Sequence, residues 1–143
     1  MSRKRSLARR LALQALYQWQ VTGDDLGEIV NHFLTEHRNK KFEAGYFREL
    51  VTQVPAHLEA LDQALGPHLD RPVEELDLVE RALLRLASYE LMARPEVPYK
   101  VVINEAVELA KTFGAEQSHR YVNGVLDKVA RKLRPVEAAG GRG

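Results

Sequence analysis

Between Val73 and Ala93 the apolar residues Leu76, Val79, Ala82, Leu83, Leu86, Ala87 and Leu91 recur at intervals of three and four. That spacing puts them on one arc of an α-helix, and the arc is wide enough for a helix surrounded by others. The same period returns wherever apolar residues cluster, while the two-residue alternation of a half-buried strand is scarce. The fold class expected is therefore all-α, with six to seven helices in two packed three-helix groups. The first helix is expected over about Arg5 to Val21 and the second over about Asp24 to His37. A third starts near Phe42, is kinked by Pro55 and is stopped by Gly66-Pro67. The Val73–Ala93 helix ends at Arg94-Pro95. Pro98 opens a helix running to Phe113, which Gly114 closes, and a last helix spans about Glu116 to Leu133.

The 143 residues suffice for one ordinary domain with its own core, and 45% hydrophobic with 29% charged residues describes a soluble globular chain. Residues 1–134 are assigned to that domain. The Gly- and Ala-rich stretch 135–143 is expected to be a disordered tail. There is no cysteine, which removes disulfides, thiolate nucleophiles and Cys-based zinc sites, and fits a reducing, cytoplasmic setting. No apolar run approaches the length of a membrane span, and the first ten residues are too polar for a secretory signal.

Charge is unevenly distributed. Residues 1–23 contain Arg3, Lys4, Arg5, Arg9 and Arg10 and no acid, whereas the chain as a whole holds 21 basic and 20 acidic residues. Helix dipoles favour acids at this end, by about 0.3–1 kcal/mol each, so local stability does not account for the cations. A solvated, frayed helix end and an Arg-rich organellar leader are two explanations. Phosphate binding is a third, since guanidinium forks and helix N-terminal amides both pair with phosphate oxygens. Leu11, Ala12, Ala15, Leu16 and Trp19 form the core face of this helix. Arg3, Arg10 and Tyr17, spaced by seven, line the opposite face.

In the last helix Val122, Val125, Leu126, Val129 and Leu133 make the core arc, with Tyr121, Lys128 and Lys132 on its flank. Tyr121 reads as an exposed plane for a stacked base. Phe113 lies on the apolar arc of its own helix, so core and platform both stay open for it. The five histidines, His32, His37, His57, His68 and His119, show no metal-ligand spacing. Glu105 and Glu108 share a polar face with Lys111, and Ser6, Ser88 and Ser118 have no evident base, so no catalytic residue and no cofactor is assigned. Asp70, Glu74, Glu75, Asp77 and Glu80 crowd within eleven residues. Helix N-terminal preference explains most of them, but Glu80 falls inside the apolar arc and needs water or a cation. A docking surface for a basic protein is the functional alternative.

The segments ARRLALQALYQWQ (8–20), VERALLRLASYEL (79–91), VPYKVVINEAVELAKTFGAE (97–116) and SHRYVNGVLDKVARKLR (118–134) resemble the bacterial NusB transcription antitermination factors over nearly the whole chain. The resemblance implies a non-enzymatic, all-helical adaptor. It would bind single-stranded boxA RNA of ribosomal RNA leaders together with the ribosomal protein NusE, within an RNA polymerase complex that suppresses premature termination. By the same resemblance the RNA-binding residues are Arg3, Lys4, Arg5, Arg9, Arg10, Lys111, Phe113, Gln117, Ser118, Arg120 and Tyr121. Tyr17, Glu74 and Glu80 resemble the NusE-facing side. Some relatives form homodimers that cover the RNA surface, so self-association is a further expectation, and no membrane partner is implied. The same fold occurs in ribosomal RNA cytosine methyltransferases, but no methyl-transfer domain is expected here. The competing readings are a non-specific nucleic-acid-binding module and a self-associating helical scaffold.

Overall fold

A computed structural model describes residues 2–140, and all regular structure among them is helical. Eight α-helices follow in order: α1 (Arg3–Thr22), α2 (Leu26–Glu36), α3 (Ala44–Ala56), α4 (Leu58–Leu65), α5 (Leu78–Ala93), α6 (Tyr99–Phe113), α7 (Ser118–Leu133) and α8 (Pro135–Gly140). Short 3₁₀ turns occupy Gly66–His68 and Val73–Glu75. The chain divides into two units, residues 1–57 and 58–143.

In the first unit α1 packs against α2 and α3, and α2 against α3. Ser2 caps α1 by accepting from the Arg5 amide at 3.2 Å, so the helix begins two residues before the expected start. Its end is set by Gly23, whose left-handed φ of 70° lets the backbone N–H reach back to the Trp19 carbonyl. Leu11, Ala12, Ala15 and Leu16 are buried, as is the aromatic pair Phe33 and Phe47, with ring centroids 5.9 Å apart.

The expected third helix is in fact two. Helix α3 ends one residue after Pro55 and α4 starts at Leu58, with the His57 amide turning onto the Val54 carbonyl. Pro55 thus marks a break between units, not a kink within one helix.

In the second unit α5 contacts α4, α6 and α7, and α6 packs along α7. Asp77 caps α5 by accepting from the Glu80 amide. The residues before it wrap around Arg81, whose guanidinium donates to the carbonyls of Val73 and Glu74. The second group therefore has five helices where three were expected, and the total of eight exceeds six to seven.

The tail also departs from expectation. Residues 135–140 form α8, because one partner distant in sequence and one close by hold them. Glu137 accepts from the Tyr99 amide at 2.8 Å and from Arg134 at 3.0 Å, and Ala138 is buried. Residues 141–143 lie outside the described residues.

Candidate nucleic-acid interface

In the first unit the five amino-terminal cations separate into two groups. Arg3, Lys4 and Arg10 are exposed, and Tyr17 is 40% exposed on the same helix. Arg5 and Arg9 are turned towards α3. The Arg5 guanidinium donates to Glu43 at 2.9 Å and lies 4.2 Å from the Tyr46 ring centroid; that of Arg9 lies 5.6 Å from the same ring. Arg9 is 2% exposed, so the expectation of five outward charges is corrected to three. The cause is the helical period: residues 5 and 9 are one turn apart on the flank that meets Tyr46. The Glu43 amide also donates to the Lys4 carbonyl, and the Arg5 hydrogen bond holds the Glu43 carboxyl below its usual range.

In the second unit the candidates gather at the start of α7. Gln117 precedes it with φ of 74°, a left-handed conformation uncommon outside glycine, and its side chain is exposed. Ser118 was expected to face RNA but is 3% exposed, and its hydroxyl donates to Glu80 Oε2. This correction has a steric origin. A Cβ on Gly114 would stand 2.8 Å from the Ser118 Cβ and from the Ala110 carbonyl, so only glycine allows α7 to start so close to the end of α6. The same bond meets the need of half-buried Glu80, through a hydroxyl and not a cation. Lys111 is exposed and pairs with Glu108 at 3.3 Å, Phe113 is half-buried, and Glu74 is exposed.

Tyr121 is anchored by its hydroxyl, which donates to Asp70 Oδ1 at 2.9 Å and accepts from the Asp70 amide at 3.2 Å. Asp70 in turn receives both arms of the Arg71 guanidinium, at 2.8 and 2.9 Å, and this pairing, with Tyr121, lowers its pKa. Beside Tyr121 lies an open cleft of about 410 Å³ whose walls include His68, Asp70, Arg120, Gly124 and Lys128. Periodicity points to Tyr121 and Lys128, and the family resemblance to Arg120. It gives no sign of Glu43, 38 residues from Arg5, or of Asp70, 51 residues from Tyr121. No group of three or more His, Asp or Glu residues suited to a metal occurs among the described residues.

Fold and site together define an all-helical protein with aromatic side chains set beside exposed cations, the chemistry of a polyanion-binding surface. The chain belongs to the NusB family, whose model matches residues 6–131. It is 54% identical over 137 residues to the transcription antitermination protein NusB of Nitrosococcus oceani, covering 96% of this chain and 92% of that one. To the protein of the same name from Idiomarina loihiensis it is 56% identical over 131 residues, covering 92% and 94%. Among solved structures, NusB of T. maritima superposes with a TM-score of 0.85 at 30% identity, covering 98% of this chain and 99% of that one. A crystal structure of the antitermination factors NusB and NusE in complex with double-stranded RNA gives 0.83 at 31% identity, covering 92% and 99%.

Proposed function

We propose that this chain is a non-enzymatic RNA-binding adaptor of transcription antitermination, acting in the cytoplasm on nascent ribosomal RNA. It binds single-stranded boxA RNA together with the ribosomal protein NusE, and the assembly joins RNA polymerase to suppress premature termination. The observation that carries the RNA reading is the outward pair Arg3 and Arg10 on α1, with Lys4 beside them and no acid within the helix. The solved relative that contains both NusE and RNA supports the same assignment. In the second unit Arg120, Tyr121, Gln117 and Lys111 supply further polar and aromatic contacts, with Phe113 at their edge. Arg5 and Arg9 serve α1 through α3, and Ser118 serves α7 through Glu80. The partner-facing residues are Tyr17, Glu74 and Glu80, the last two offering carboxylates to a basic ribosomal protein.

Titration of labelled boxA RNA and a shuffled control, with and without NusE, tests this reading. The expected result is a preference for boxA that tightens when NusE is present. Equal affinity for both RNAs would leave a non-specific module, and equal affinity with and without NusE would remove the joint mechanism. If Arg3, Lys4 and Arg10 each meet one phosphate, their share of the log–log salt slope is about −2, at roughly −0.7 per phosphate.

A further inference from the structure

The cleft beside Tyr121 has chemistry that the contacts assigned so far do not use. One wall is α7, where Arg120, Gly124, Lys128 and Lys132 follow at intervals of four. All four are exposed. A Cβ on Gly124 would meet nothing within 4 Å, so the floor between Arg120 and Lys128 is open. The facing wall is the turn Pro67 to Asp70, which places His68 opposite the lysines. Burial, and then the charges of Lys128 and Lys132, hold the His68 imidazole below its ordinary pKa, so it faces them as a neutral ring and the cations of the cleft come from α7. The only carboxylate among the cleft's lining residues is that of Asp70, already met by Arg71 and the Tyr121 hydroxyl. Asp127, further along α7, pairs with Arg131 at 2.8 Å. A mobile anion with a single charge would need only one of these cations. A row spanning twelve residues, about 18 Å at 1.5 Å per residue, suits a polyanion.

We propose that this cleft and the α7 cations beyond it form a phosphate track for the RNA strand after it leaves Tyr121, with Arg120, Lys128 and Lys132 meeting phosphates spaced along it and His68 approaching from the facing wall. The track rests on the RNA-binding reading above and lengthens its footprint by roughly five nucleotides, at about 3.4 Å per stacked nucleotide. It reads backbone and not bases, so it adds affinity without sequence preference.

The test uses the full chain, a core boxA oligomer, and versions extended by five nucleotides at the 5′ or the 3′ end. Wild type should bind one extended RNA more tightly than the core. The double variant Lys128→Ala/Lys132→Ala should bind the core as wild type does and lose about tenfold on that extended RNA. Its salt slope there should be shallower by about 1.4, two phosphates at roughly 0.7 each. Unchanged helical circular dichroism is expected, because both lysines are exposed. If wild type gains nothing from either extension, or the double variant loses equally on core and extended RNA, the track is overturned while RNA binding stands. Failure of wild type to bind the core would instead overturn the RNA reading itself.

Discussion

Arginine serves three different ends in this chain. Arg3 and Arg10 reach solvent, Arg9 is buried beside Tyr46, and Arg134 is buried as a connector. Arg134 uses all five guanidinium donors, to the carbonyls of Glu90, Leu91, Arg94 and Val97 and to the carboxylate of Glu137, at 2.5 to 3.0 Å. It thereby satisfies the open carbonyl end of α5, the loop after it and α8 together. Arg134→Ala should lower stability by about 2–4 kcal/mol, since several buried carbonyls lose their donor at once, and a urea unfolding midpoint would measure it. A change within about 0.5 kcal/mol would show that water replaces the guanidinium without cost. The type of each arginine is plain in the sequence, but its role is not. A residue's periodicity says which side of its helix it occupies, and Arg9 and Arg10 differ only by that.

Among elements, the connections were harder to foresee than the helices. The apolar arcs locate α1, α2, α5, α6 and α7 to within a few residues, because burying an apolar stripe dictates the period. The α3–α4 break and the late start of α5 at Leu78 are set by local turns, the His57 amide on Val54 and the Asp77 cap with Arg81, whereas α8 depends on the distant Tyr99 amide. Gly114 illustrates the difference. It was expected as a helix stop, yet its φ of −87° is open to any residue, and what requires glycine is the approach of Ser118. Gly114→Ala should cost about 1–3 kcal/mol by overpacking and displace the start of α7, visible as a lowered thermal midpoint and shifted amide resonances at residues 117–121. Acid should loosen three carboxylate contacts between elements. Glu43, Asp70 and Glu137 all have pKa values lowered in the folded state, by Arg5, by Arg71 with Tyr121, and by the Tyr99 amide with Arg134. The unfolded chain therefore binds protons more readily. Their contribution is complete above the ordinary carboxylate values of 3.8 to 4.5 and is lost as pH falls through the lower folded values. Urea midpoints measured from pH 7 to pH 3 should fall, and Glu137→Gln should flatten part of that fall.

For the molecule as a whole, the near-neutral total charge conceals a division of labour that its distribution makes legible. In the first unit the cations exposed on α1, and in the second those along α7, each suit a polyanion, and the acidic stretch leading into α5 suits a basic protein. The candidate surface was readable from charge and aromatic spacing. The supports that fix it were not, since Glu43, Asp70 and Glu80 act on residues 38 to 51 positions away.

The hydroxyl of Ser118 on the Glu80 carboxylate has a consequence for genetics. Glu80 is placed on the proposed partner side, yet it accepts a hydrogen bond from Ser118 at the start of α7, so a change at Glu80 also reaches the proposed RNA-facing end of that helix. Under the proposed function, Glu80→Lys should weaken NusE capture and, by shifting the first turn of α7, boxA retention as well, whereas Glu74→Lys should spare the RNA. Paired pull-down and filter assays on both alleles would reveal whether a screen for partner-blind mutants at codon 80 selects for defects in transcript binding as well.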